Sequence, residues 1–223
     1  MTDLQLLVAH AAKLALLALI AGIVWRGRAR LCWSFALYVL TTLLGNILVS
    51  LWPSRFLTPS FWVLKQGVYD VLKMAIALEL AWRAFSTFPG AARTARGVLL
   101  ALLVVSTVAL ALLAPASSFM TVWDWQPRAT TAALWLLTAT AVMVVWYQVP
   151  VHEFQRAIML GLAPYLLVFV SLFGILQRQG WGAREPIATL GTLAYLGLVL
   201  FWNWAAWRRD VARGSALPTT GPA

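Results

Sequence analysis

The sequence has few of the residues on which metal centres and covalent catalysis depend. Its single cysteine, Cys32, excludes an intrachain disulfide. Its two histidines, His10 and His152, fall on opposite sides of the predicted membrane, so this chain alone offers no multi-histidine metal site or bis-histidine haem. The pair formed by His152 and Glu153 is not continued into a zinc-peptidase motif, and no nucleophile elbow, phosphate loop or dinucleotide pattern is present. We therefore expect no cofactor and no metal.

Charge is also scarce. Charged residues make up 11% of the 223 residues and hydrophobic residues 62%, which is typical of a polytopic membrane protein. The net charge of +10 comes from arginines and lysines spread over short segments, without the basic patch of a nucleic-acid-binding domain. We therefore expect anionic phospholipid headgroups as the counterions, and no nucleic-acid partner.

Long apolar stretches predict an all-α bundle of seven transmembrane helices over residues 1–207. A short tail, residues 208–223, is rich in small and polar residues and is expected to be disordered in the cytoplasm. The predicted spans are residues 4–25, 31–52, 61–83, 97–115, 130–148, 157–177 and 187–207.

The distribution of arginines predicts the orientation. Four arginines fall on one side of the predicted membrane: Arg55, Arg128, Arg178 and Arg184. Ten fall on the other: Arg26, Arg28, Arg30, Arg83, Arg93, Arg96, Arg156, Arg208, Arg209 and Arg213. By the positive-inside rule the richer side is cytoplasmic, which places the N-terminus outside and the C-terminus inside. We expect a multi-pass protein of the inner (cytoplasmic) membrane.

Aromatic residues and prolines mark the predicted span ends. Trp135 is the only one of the thirteen tryptophans clearly inside a span, and the others, including the Trp202 cluster, are interpreted as an interfacial belt. Residues 116–129 are predicted to form the longest outer loop, either wet or lying along the interface, with Pro127 in it. Pro164 is expected to kink span six and to free a backbone carbonyl.

Span three is the stretch around which the other spans are predicted to be arranged. Asp70 and Lys73 fall near its middle, where charged side chains usually face the interior of a bundle and have a partner. Lys13 of span one comes out at the same depth as Asp70, so these two residues are the candidate ion pair. Gln66, Asp70 and Lys73 share one helix face, while Glu79 lies on another and is expected to snorkel or to pair with Arg83.

A second polar layer is predicted nearer the outer surface, formed by His10, Asn46 and Lys65. Two readings of both layers stay open. One is a packing network in which buried charges fix the helix arrangement. The other is an anion site or charge relay whose protonation changes on binding. Tyr165, Tyr195 and Asn203 are the remaining polar groups at depth.

Seven spans with short loops and an outer N-terminus resemble the membrane sensor regions that precede histidine kinases in bacteria. The resemblance is one of topology, and it implies a non-enzymatic sensor or accessory module that signals through a partner. A rhodopsin-like photoreceptor is disfavoured because span seven has no lysine. The alternatives are a small transporter or proton-coupled carrier, and a membrane enzyme acting on lipid headgroups with His152 and Glu153 as its acid/base pair.

Overall fold

The structure, a computed structural model, describes residues 3–86, 97, 101, 119–180, 182 and 184–209. Side chains are described from residue 7 in the first helix and from residue 126 in the helix that begins at 119. These residues form a short 3-10 turn, Arg28–Leu31, and helices α1 (Asp3–Trp25), α2 (Trp33–Leu51), α3 (Pro53–Phe56), α4 (Pro59–Phe85), α5 (Phe119–Trp146), α6 (Glu153–Gln179) and α7 (Arg184–Trp207).

The helices show that this is a multi-pass membrane protein. Among the described residues, five helices are long and apolar enough to cross a bilayer: α1, α2, α5, α6 and α7. The sixth long helix, α4, has 27 residues, but it also carries five charged side chains. The predicted span 97–115 lies outside the described residues, except for Gly97 and Ala101, which are both helical.

Local sequence explains where the two central helices begin. The hydroxyl of Thr58 accepts the backbone N–H of Phe61, and Pro59 occupies the first turn of α4, where its missing N–H costs nothing. At the start of α6, His152 Nδ1 accepts the Phe154 N–H, while Gln155 accepts the N–H of His152. This is a capping box with histidine as the capping residue.

The predicted loop 116–129 is wrong over its described part, because α5 begins at Phe119 and continues through Pro127. A proline inside a helix removes one hydrogen bond, and the released carbonyl of an earlier residue needs another donor. Next to this proline, the hydroxyl of Thr131 donates a hydrogen bond to the carbonyl of Pro127, which is a different carbonyl from the one that the proline releases. The tail beyond residue 209 lies outside the described residues.

The six long helices pack as a ring in the order α1, α2, α4, α5, α6 and α7, and α7 closes the ring against α1. One end of the ring holds the beginnings of α1, α4 and α7, and we call it the N-terminal end. At the other end, which we call the arginine-rich end, Arg26 and Arg28 donate to backbone carbonyls at the end of α7. Side chains that point outward, such as Leu14, Trp25 and Trp135, are exposed, as lipid-facing residues are.

Trp202 corrects the interfacial-belt interpretation, since it is completely buried. Its ring meets Phe35 of α2 edge to face, with centroids 4.8 Å apart. Gly161 of α6 makes room for it: a Cβ at position 161 would lie 2.7 Å from Trp202 Nε1 and 2.9 Å from Leu198 Cδ1. Trp202 is therefore a core residue that joins α2, α6 and α7.

We expect Gly161→Ala to destabilise the protein, because its methyl group has to displace a buried indole. Overpacking of this kind costs about 1 to 3 kcal/mol. Gly174→Ala on the same helix is the matched control, since a Cβ there meets nothing within 4 Å. The control should be neutral or slightly stabilising in thermal unfolding of the detergent-solubilised protein. Equal melting temperatures for the two variants would contradict the close packing of α6 against Trp202.

Candidate ligand and charge site

The centre of the bundle holds an ion pair within α4. Lys73 Nζ lies 2.8 Å from Asp70 Oδ1, and the exposed fractions of the two side chains are 5% and 0%. Gln66 Nε2 donates to the same oxygen at 3.4 Å, so the predicted face of Gln66, Asp70 and Lys73 is formed. The other carboxylate oxygen, Asp70 Oδ2, is buried and has no hydrogen-bond partner among the residues that the structure describes. A buried carboxylate with one unsatisfied oxygen retains the capacity to accept a proton or a donor.

Aromatic rings surround this pair. Lys73 Nζ lies 5.2 Å from the ring centroid of Phe169 on α6, a cation-π contact across the bundle. Tyr38 and Tyr69 form one ring pair, with centroids 6.1 Å apart, and Tyr165 and Tyr195 form another, at 5.9 Å. Tyr38 lies close to the other three tyrosines and to Asp70. Four hydroxyl groups and an ion pair therefore share one interior region.

The predicted ion pair between Lys13 and Asp70 is wrong. Lys13 Nζ donates to Ser50 Oγ of α2 at 2.9 Å, whereas the charge partner of Asp70 is Lys73. The physical reason is azimuth, since α2 lies between α1 and α4 in the ring. Two residues at equal depth lie at the same height in the bundle, but their depth does not determine the direction in which each side chain points around its helix.

The second polar layer is only partly brought together. His10 is exposed on α1 and Asn46 is half-buried on α2. Lys65 is the member of this layer that lines a cavity of about 530 Å³ at the N-terminal end of the bundle. Phe169 lines the same cavity, so the phenyl ring of this residue separates the cavity from Lys73.

Pro164 lies within a continuous α6, next to Tyr165. A cavity of about 290 Å³ adjoins both residues and is bounded by Leu198 and Phe201 of α7. Proline removes the hydrogen bond that the carbonyl of Leu160 would accept from position 164. This section of α6 therefore combines a missing backbone bond with open space beside it.

A separate polar cluster lies at the arginine-rich end. The Glu79 carboxylate accepts hydrogen bonds from the backbone N–H groups of Trp33 and Ser34, at 3.1 and 2.8 Å, and thereby caps α2. It also pairs with Arg83 at 2.8 Å, which confirms the predicted pairing. The thiol of Cys32 lies 3.5 Å from Glu79 Oε2 and is buried. Burial and the Glu79 charge raise the pKa of Cys32 to about 12.

Cys32 consequently offers a native reporter of α4, because it is the only cysteine of the chain. A neighbouring carboxylate disfavours the thiolate, so Glu79→Gln should lower the pKa of Cys32 and raise its alkylation rate at pH 8. We expect an increase of about tenfold, the equivalent of one pKa unit. Glu153→Gln, at an exposed position, should leave the rate unchanged, and Cys32→Ser should abolish labelling. Equal rates for both glutamate variants would contradict the contact with Glu79.

The capping box accounts for His152 in structural terms. Its Nδ1 accepts a backbone hydrogen bond at 3.1 Å, and the adjacent Glu153 lies in the exposed first turn of α6. These contacts explain both residues as helix-terminus residues. Among the residues that the structure describes, no group of three His, Cys, Asp or Glu side chains is placed to hold a metal ion.

Sequence reasoning passed over three important residues. Tyr38 lies four residues before Thr42, whose hydroxyl donates to the Tyr38 carbonyl, and this spacing can be read directly from the sequence. Phe169 resembles any other apolar residue of its span. The sequence places Arg28 among the charges of a short loop, yet it is 3% exposed and lies 5.2 Å from the Phe154 ring centroid.

Comparison with known proteins adds no relative. The sequence matches no protein-family model, and neither the curated proteins nor the solved structures include a significant match. Function therefore has to be argued from the contacts described above.

Proposed function

We propose that the protein is a non-enzymatic sensor or accessory module of the bacterial inner membrane. In this proposal a small anionic or polar ligand, or a proton, changes the state of the Asp70–Lys73 pair. The observation that carries it is the buried Asp70 Oδ2, which has no hydrogen-bond partner within the described part of the chain and lies next to a lysine that contacts α6 through Phe169. A purely structural ion pair is expected to satisfy both carboxylate oxygens.

The proposal includes seven spans with the N-terminus outside. Support comes from the ends of α4 and α5. α4 ends at the arginine-rich end, where Arg83 donates to the Arg30 carbonyl. α5 is joined by a short segment to the start of α6, which is at that same end because Gln155 donates to the Leu31 carbonyl. α5 therefore begins at the opposite end, and a crossing by residues 97–115 supplies the return.

Movement of α6 is the proposed response. Neutralising Asp70 removes the charge that holds Lys73 Nζ, and Lys73 rests on Phe169 of α6. Phe169 follows the interrupted hydrogen bond at Pro164 and the adjacent cavity. A change at one carboxylate thus reaches a helix that has room to shift, and a partner at the cytoplasmic face reads that shift.

The test is amide hydrogen exchange of the full chain in lipid nanodiscs. Asp70→Asn should change the exchange of α6 around Pro164, whereas Glu185→Gln, an exposed acid in the first turn of α7, should not. Lowering the pH should give the same change in the unmodified chain and none in Asp70→Asn. Changes confined to α4 in that variant would overturn the proposed coupling.

The two alternative functions predict different outcomes. A carrier predicts proton-driven uptake in proteoliposomes that disappears in Asp70→Asn, and such flux would replace the sensor proposal. An enzyme acting on lipid headgroups predicts an altered lipid composition in a deletion strain, restored by the intact gene and not by His152→Ala. The capping role of His152 is the specific observation against this second alternative.

A further inference from the structure

A cavity opens at the N-terminal end of the bundle. Its volume of about 530 Å³ falls in the range of about 300 to 1,000 Å³ that is typical of small-molecule sites. It lies between the beginnings of α4 and α7 and the last turns of α6, with α3 beside it. Leu57, on its rim, is 74% exposed, so the cavity is accessible from the surface of the bundle.

The walls are apolar and largely aromatic. They include Phe56, Phe61, Trp62, Phe169, Leu172 and Phe173. Such walls favour a hydrocarbon or aromatic body, because burial of apolar surface drives binding in proportion to its area. An inorganic anion alone has no apolar surface to bury against these walls.

The charges of the lining residues have one sign. Lys65 and Arg184 line the cavity, and no carboxylate is among the described lining residues. α4 and α7 both begin there, so their partial positive charges add to those of the side chains. The electrostatic complement of this surface is an anion.

Lys65 is held in place without an anionic partner among the described residues. Its stem packs on Gly45 of α2, where an added Cβ would lie 3.1 Å from Lys65 Cδ and 2.6 Å from the Tyr69 hydroxyl. Its Nζ lies 6.0 Å from the Tyr69 ring centroid. Within the described part of the chain, Lys65 has neither an ion pair nor a hydrogen bond, in contrast to Lys73 and Lys13.

We infer that this cavity binds a single-chain amphipathic carboxylate, with the carboxylate at Lys65 and Arg184 and the chain between α4 and α6. Two features favour this class over others. The apolar walls call for a hydrophobic body, and the cationic rim calls for a headgroup of negative charge. A whole diacyl phospholipid exceeds the cavity volume of about 530 Å³, whereas one acyl chain can be contained in it.

The same ligand would explain how the central pair is reached, and this part rests on the proposed function. Phe169 forms part of the cavity wall and also lies against Lys73 Nζ. A chain inserted beside Phe169 changes the position of that ring, and with it the cation-π contact that Lys73 makes. Ligand binding and the state of Asp70 are thereby linked through one side chain.

The experiment measures equilibrium binding of radiolabelled palmitate to the full chain in detergent micelles. We expect saturable binding that weakens by about tenfold or more in Lys65→Met, as for loss of one charge-assisted hydrogen bond. Lys13→Met is the matched control, since Lys13 donates to Ser50 and does not line the cavity, and it should bind like the unmodified chain. Gly191→Leu, which fills the cavity and keeps both charges, should abolish binding.

Competition identifies the ligand class. Unlabelled palmitate should displace the probe, whereas inorganic phosphate and dodecyltrimethylammonium should not. Displacement by phosphatidylglycerol, added at equal concentration in mixed detergent micelles, would replace the fatty-acid-type ligand by a phospholipid headgroup and overturn the inference. Unchanged binding in Lys65→Met, in a variant that still melts like the parent protein, would overturn it too.

Failure of this inference is distinguishable from failure of the proposed function. Palmitate binding that depends on Lys65 but leaves the hydrogen exchange of α6 unchanged would support the site and contradict the sensor mechanism. An exchange response of α6 to Asp70→Asn without any palmitate binding would support the mechanism and contradict the site.

Discussion

Replacement of Lys73 by methionine should be among the most destabilising single substitutions in the chain. Among the described residues, it leaves the buried Asp70 carboxylate with the amide of Gln66 at 3.4 Å as its one remaining hydrogen-bond partner. Removing one partner of a buried ion pair typically costs about 3 to 5 kcal/mol. We expect a correspondingly large fall in the unfolding free energy, measured in mixed micelles, and a smaller fall at a pH low enough to protonate Asp70.

The double-mutant cycle shows which lysine is coupled to Asp70. In Lys73→Met/Asp70→Asn both charges are gone, so most of the stability lost in Lys73→Met should return. Lys13→Met combined with Asp70→Asn should be additive to within about 0.5 kcal/mol, because Lys13 is bonded to Ser50 instead. Coupling of Asp70 to Lys13, with additivity at Lys73, would contradict the geometry of α4.

The functional proposal makes the double variant informative beyond stability. If the Asp70–Lys73 pair only fixed helix packing, the double variant would recover both the stability of the unmodified chain and its hydrogen exchange in α6. If the pair is the switch, the double variant should be well folded yet insensitive to pH in the hydrogen exchange of α6. The two readings left open by the sequence thus separate in one protein preparation.

The sequence was sufficient for features that depend on position along one helix. The shared face of Gln66, Asp70 and Lys73 and the pairing of Glu79 with Arg83 follow from helical spacing, and both are present. The helical class and the membrane-spanning composition follow from the apolar runs. These are local properties, for which neighbouring residues carry the information.

Features that depend on contacts between helices were not available from the sequence. Depth along the helices pairs Lys13 with Asp70, but the order of the helices around the bundle places α2 between α1 and α4. Trp202 is a tryptophan close to a predicted span end, as belt residues are. It is a core residue because Gly161, on another helix, leaves space for its ring. The cavity at Lys65 likewise needs four separate chain segments, so no single stretch predicts it.

The buried guanidinium of Arg28 shows how far a residue's role can differ from its class. It donates to the carbonyls of Ala205 and Arg208, the latter at 2.6 Å, at the point where α7 runs out of intrahelical donors. The positive charge also complements the negative end of that helix. Arg28 therefore joins the turn after α1 to the end of α7.

Arg28→Ala should lower the unfolding free energy by about 3 kcal/mol or more, since hydrogen bonds to charged groups contribute about 1.5 to 3 kcal/mol each. Arg28→Lys should recover only part of the loss, because an ammonium group lacks the planar fork that reaches two carbonyls. Arg30→Ala is the matched control two residues away, and its exposed side chain predicts a change within about 0.5 kcal/mol. Thermal unfolding combined with limited proteolysis measures the effect, with Arg28→Ala releasing the chain after α7 to proteases first. If Arg28→Ala and Arg30→Ala were equally mild, the end of α7 would be held by the lipid interface, and the turn after α1 would have no part in anchoring it.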